Sequence, residues 1–155
     1  MSYRPSFCAA VSTLFLVILF PVAASAQYSH DDVFVQLRRG FWYGNVEDIV
    51  TGMPLGAPVH LDFPEASVKR YVGRNTNATA ILEQVFQTLK PRAFMPRPNW
   101  AEELEKSKED VQCILKGRWR VEINGKSEMR ELYITLRNDD DQWRIMRIRS
   151  APSEP

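Results

Sequence analysis

The sequence predicts a single α+β domain behind an export signal, its C-terminal half an antiparallel sheet. Three observations carry this. An apolar run near the start ends in small residues, apolar side chains recur at helical spacing before Leu89, and strict alternation takes over after Val111.

The signal comes first. Phe7 to Phe20 is apolar except for Ser12 and Thr13, Pro21 breaks the run, and Ala24-Ser25-Ala26 follows. Those are the apolar region and cleavage pattern of a secretory leader over residues 1–26. The run is shorter than the roughly 20 apolar residues of a spanning helix, which argues against the alternative of a retained anchor. Cleavage near Ala26 leaves Gln27 to Pro155 as one domain, periplasmic or secreted, without a membrane span. Cys8 precedes the apolar run, so it is badly placed for a lipid anchor.

Asp31 to Arg39 places Val33, Phe34 and Leu37 at helical spacing, and Gly40 is expected to end that helix. Asn45 is a good N-cap for a second short helix with Glu47 and Asp48 in its first turn. Val59, Leu61 and Phe63 alternate with His60 and Asp62 as a half-buried strand, stopped by Pro64. Val68 to Val72 is a second strand, ended by Gly73. The clearest helix puts Ala78, Ile81, Leu82, Val85, Phe86 and Leu89 on one face, with Asn75, Thr76 or Asn77 to cap it and Pro91 to stop it. Residues 91–110 read as a proline-rich irregular connection, then a charged helical turn or loop from Trp100 to Asp110. Beyond Val111, three alternating strands are joined by turns at Asn124-Gly125 and at Asn138 to Asp141, an antiparallel meander. Helices followed by strands, one long helix and a meander argue for helices packed on one face of the sheet.

Composition excludes several function classes. The chain has 20 Lys and Arg against 19 Asp and Glu, and losing Arg4 with the leader balances them. A balanced surface has no general attraction for nucleic acid, although a local patch stays open. After cleavage Cys113 is the one thiol, so no internal disulfide can form; it reads as a small core hydrophobe or, alternatively, a reactive thiol. Two histidines and one cysteine leave almost no material for a zinc site. No phosphate-binding glycine loop, nucleophile elbow or repeat is present, so neither a metal nor a cofactor is implied.

In their order, Gly44 to Ile49, Tyr71 to Leu82 leading into Phe86, Trp119-Arg120-Val121, Tyr133 to Arg137 and Gln142 to Ile145 form a recognisable set. The set resembles the NTF2-like (cystatin-like) superfold and, more narrowly, exported bacterial proteins of the DUF4783 type, over about Asp31 to Arg149. The resemblance implies a cone: a curved antiparallel sheet packed against N-terminal helices and one long helix, in the cell envelope. It implies no particular activity, because the superfold hosts enzymes, ligand binders and dimerisation modules.

Such a cone often encloses a pocket with an acid or a His-Asp pair beside a tyrosine, suited to moving a proton next to a carbonyl. The materials for it are Tyr43, Asp48, His60, Asp62, Tyr71 and Tyr133, but His60 and Asp62 alternate away from the apolar face of their strand, so no catalytic residue is assigned. Arginines crowd the meander, with Arg118 and Arg120 on one strand face and Arg147 and Arg149 on another. Adjacent, they would grip carboxylates or phosphates; neutralised by Glu122, Glu128, Glu131 and the run from Asp139, they are an ordinary solvated face. Trp119, Tyr133 and Trp143 can be core or pocket lining, and one of Phe41, Trp42 and Tyr43 must reach a surface. Tyr71, Trp119, Tyr133 and Arg147 are the candidate ligand-binding residues. The expected function is a non-catalytic envelope domain that binds a partner protein or small ligand, with homodimerisation compatible. The alternative is a small pocket enzyme of isomerase or dehydratase type.

Overall fold

A computed structural model describes residues 30–107, 111–140 and 142–153; the expected leader lies outside the described residues. The elements run α1 (His30–Tyr43), α2 (Val46–Thr51), β1 (Val59–Phe63), a 3-10 turn (Pro64–Ala66), β2 (Val68–Gly73), α3 (Asn75–Thr88), β3 (Lys90–Pro96), α4 (Trp100–Lys106), β4 (Gln112–Ile123), β5 (Lys126–Asp139) and β6 (Gln142–Pro152). The strands form one curved sheet in the order β2-β1-β6-β5-β4-β3. Every pairing is antiparallel except that of β1 with β6, where His60 to Asp62 run beside Arg147 to Arg149 in the same direction. Bulges in β2, β3 and β6 interrupt the ladders, and each bends its strand.

Helix α1 packs against β3 and β6, and α3 against β1, β2 and β3, all on one face of the sheet. Alternation along the strands feeds that face: Cys113, Leu115, Trp119 and Val121 from β4, Leu132, Ile134 and Leu136 from β5, and Ile145 and Ile148 from β6 are buried. A group of rings fills the centre. Phe41 lies 5.3 Å from Trp119 and 5.5 Å from Phe94, while Phe86 and Phe63 approach Trp119 at 5.8 and 6.2 Å. The Trp119 indole N–H donates to the Phe41 carbonyl at 3.0 Å, which satisfies both buried groups.

Four local expectations are corrected. Helix α1 runs through Gly40 to Tyr43 and stops at Gly44, whose φ of +71° suits a residue without Cβ. Gly40 has another purpose: a Cβ there would lie 2.3 Å from Ile49 Cγ1, so it lets α2 press onto the α1 backbone. Helix α3 starts at Asn75 itself, with Arg74 in the N-cap position and no capping bond from its side chain. Finally, the irregular stretch after Pro91 contains strand β3, with Phe94 fully buried, and Pro91 stands in that strand rather than ending α3. Both prolines of β3 are tolerated because the strand is an edge. Beyond it, the charged segment opens as α4, anchored by buried Trp100 against Phe34 and Phe94. Asn45 does cap α2, accepting from the Glu47 N–H at 3.2 Å.

Candidate functional site

The interior between helices and sheet is taken up by side chains. Trp119, Phe41, Phe63 and Phe94 are fully buried, and Phe86 nearly so, where a cone pocket would open. The residues considered for proton transfer do not converge. Asp48 faces Arg39 at 3.4 Å, Tyr43 projects to solvent with 76 % of its surface exposed, and His60 and Asp62 point away from the core. Asp62 accepts instead from the Arg70 backbone N–H.

The opposite face of the sheet carries the unusual chemistry. Its rows follow from the strand registers. Arg147 of β6 stands beside Thr135 of β5 and then Ile114 of β4; the next row is Arg149, Tyr133 and Lys116; then Glu131 stands beside Arg118, and Met129 beside Arg120. The two arginine pairs therefore share one face, separated by the single strand β5, about 10 Å across at ordinary strand spacing. Lys116, Arg118, Arg120, Arg147 and Arg149 are all exposed.

Four of the acids expected to neutralise this face, Glu122, Glu128, Glu131 and Asp139, are committed to other groups. Glu122 binds Arg92 at 2.5 Å, and that hydrogen bond and the Arg92 charge hold its carboxyl below the usual range. Glu128 binds Arg130, itself largely buried. Asp139 takes a two-pronged pair from Arg137 at 2.7 and 2.8 Å, which lowers the Asp139 pKa and raises that of Arg137. Glu131 accepts from the Tyr133 hydroxyl at 2.8 Å and faces Arg97 at 3.6 Å. Among the described residues, the side chains of Arg118, Arg120, Arg147 and Arg149 have neither a hydrogen bond nor an ion pair.

Of the four candidate ligand-binding residues, Tyr133 and Arg147 come together on this open face, on neighbouring strands. Tyr71 sits on edge strand β2 opposite Leu61, packed against the margin of the core. Trp119 is enclosed in the ring cluster. Two groupings were not anticipated. One is a wide cleft of about 1030 Å³ between α2, α3 and the β5–β6 turn, with Asn45, Glu47, Asn75, Glu83, Asp139 and Arg144 among its lining. Its polar groups are partly used already, Asn45 as a helix cap and Asp139 on Arg137. The other is Glu65, whose carboxylate accepts from the buried Ser150 hydroxyl and lies 4.0 Å from Arg130 Nε, tying the 3-10 turn to β5 and β6. Glu65 follows Pro64 in a turn, and no local spacing connects it with residues 65 or more positions away.

No protein-family model matches the sequence, and no curated protein matches it. Solved structures do. A DUF4783 family protein from Bacteroides ovatus is 17 % identical, with a TM-score of 0.56 over 77 % of this chain and 94 % of its own. One from Bacteroides uniformis is 12 % identical, with the same TM-score over 78 % and 97 %. A Catenulispora acidiphila protein of ketosteroid isomerase-like fold, in complex with trimethylamine, is 7 % identical, again at 0.56, over 79 % and 85 %. At such identities the likeness establishes the fold: this chain is an α+β domain of the NTF2-like type, similar in architecture to the DUF4783 structures.

Proposed function

We propose that the protein is an exported, non-catalytic binding domain that receives an acidic partner on the open face of its sheet. One observation carries this reading: Arg118, Arg120, Arg147 and Arg149 are exposed together on that face without an anionic partner among the described residues. A guanidinium offers a planar fork of donors that matches carboxylate geometry, so four uncommitted forks form a surface poised for carboxylates. The filled centre supports a binding role over catalysis beneath the sheet, since Trp119 and its neighbouring rings occupy the space between the sheet and the helices there. The Ala24-Ser25-Ala26 pattern supports export.

The test is fluorescence anisotropy with labelled poly-glutamate, against labelled poly-lysine as control. Poly-glutamate binds, and binding weakens several-fold as ionic strength rises from about 0.05 to 0.2 M, because exposed charges are screened over about 8–10 Å at physiological salt. Replacing all four arginines by glutamine lowers affinity at least tenfold while leaving the circular dichroism spectrum unchanged. Equal binding by the quadruple variant, or none by the parent, overturns the reading.

A further inference from the structure

We infer that a dimple beside the β6 bulge is a subsite for an aliphatic monocarboxylate, the carboxylate held by Arg147 and the chain laid over Ile114 and Met146. This rests on the preceding reading that the open face receives acidic groups, and adds which acid and where. The dimple follows from the backbone. Thr135 pairs with Arg147 but Leu136 pairs with Ile145, so Met146 has no opposite number on β5 and the strand bends there. On the far side β1 joins β6 only from His60, opposite Arg147; lower down the Ile145 N–H bonds the Gly52 carbonyl instead. The depression so formed measures about 420 Å³ and has Thr135, Ile114, Met146, His60, Arg137 and Arg147 in its wall. That volume lies within the ordinary range for small-ligand sites.

Charge and polarity narrow the occupant. Arg137 is neutralised by its pair with Asp139, so Arg147 contributes the one uncompensated permanent charge in the wall. One free guanidinium matches a monoanion; a phosphate dianion would face Asp139 beyond Arg137 with half its charge unanswered. The Thr135 hydroxyl, on the row of Arg147, can donate to the second carboxylate lone pair. Ile114, 55 % exposed on that same row, is a large apolar group left in water beside a cation, and an acyl chain bound through its carboxylate would cover it.

The experiment is a two-dimensional amide NMR titration of the full domain with hexanoate. Acetate, hexanol and inorganic phosphate are controls, and acetyl-alanyl-leucine presents the same group at a peptide end. Hexanoate produces saturable shifts at residues 114, 135, 146 and 147 and binds about tenfold more tightly than acetate, the gain for burying roughly two of its extra methylenes. Hexanol and phosphate give no saturable shifts there. R147Q abolishes hexanoate binding, whereas I114S brings hexanoate down to the acetate level; the dispersion of each spectrum reports that the variant is folded. Saturation by acetyl-alanyl-leucine at the same amides assigns the group to a peptide terminus, and saturation by hexanoate alone assigns it to a free acid. Hexanoate shifts that are absent, lie elsewhere or survive R147Q overturn the inference. If poly-glutamate still binds in that case, only the subsite falls; if it does not, the broader reading falls as well.

Discussion

Trp119 shows how one residue sets what the interior can do. Its ring touches Phe41, Phe63 and Phe86, and its N–H supplies the Phe41 carbonyl with a partner at the centre of the fold. Phe41 sits late in α1, where the last carbonyls of a helix lack intrahelical partners, so the indole answers a need created by the helix end. The consequence for function is steric, since the side chain that completes the helix also plugs the cone. Replacing Trp119 by phenylalanine removes the donor, leaves a buried carbonyl unpaired and opens a void. We expect a loss of about 2–4 kcal/mol, adding a deserted hydrogen bond to the cavity cost. Urea unfolding of parent and W119F would measure it, with a loss under about 0.5 kcal/mol counting against this account.

At the scale of elements, the contact of α1 with α2 turns on Gly40. Alanine there gains about 1 kcal/mol of helix propensity, so the sign of the change is a contest. The added Cβ would lie 2.3 Å from Ile49 Cγ1, 2.8 Å from Ile49 Cδ1 and 3.2 Å from the Asn45 backbone oxygen. A flexible tip could yield, but two atoms of a buried side chain and a carbonyl cannot all do so, and overpacking typically costs about 1–3 kcal/mol. G40A is therefore expected to be destabilised, and G40A combined with I49A to be more stable than the sum of the two single losses. Simple additivity would show that the pair does not clash. The same glycine explains what could and could not be read beforehand. Periodicity of 3.6 and of 2 exposed α3 and the meander, because those elements bury one face each. Gly40 imitates a helix stop, and Pro91 and Pro96 imitate a loop, because close approach and edge position are tertiary facts. The parallel seating of β1 on β6 is equally non-local, as more than 80 residues separate the partners His60 and Arg147. For the candidate site, alternation was enough to pair Arg118 with Arg120 and Arg147 with Arg149. Their union on one face needed the strand order, and their lack of partners needed the positions of Arg92, Arg97, Arg130 and Arg137 beside the acids.

For the whole molecule, the contrast that matters is between a near-neutral chain and a polarised sheet. With 20 basic and 19 acidic residues, net charge predicts no preference among partners, yet the open face gathers Arg118, Arg120, Arg147, Arg149 and Lys116 around one strand. Homodimerisation through this face would set those cations against their own copies. Each protomer offers Asp62 and Glu131 in return, and Glu131 is already engaged by Tyr133 and Arg97. Like charges brought together at an interface cost several kcal/mol, and the exposed Val72, Met95 and Ile114, scattered over separate strands, are too few to offset that by burial. A partner rich in carboxylates meets the opposite balance and also gains in encounter rate from the field of the face. We therefore expect the domain to sediment as a monomer at low ionic strength, where repulsion is strongest. Adding poly-glutamate should shift it to a faster species that dissolves as salt is raised. A dimer that persists at low salt and is lost when Arg118 or Arg149 is replaced by glutamate would mean that the face pairs with itself through those arginines. That result would exchange an acidic partner for a second copy of the chain.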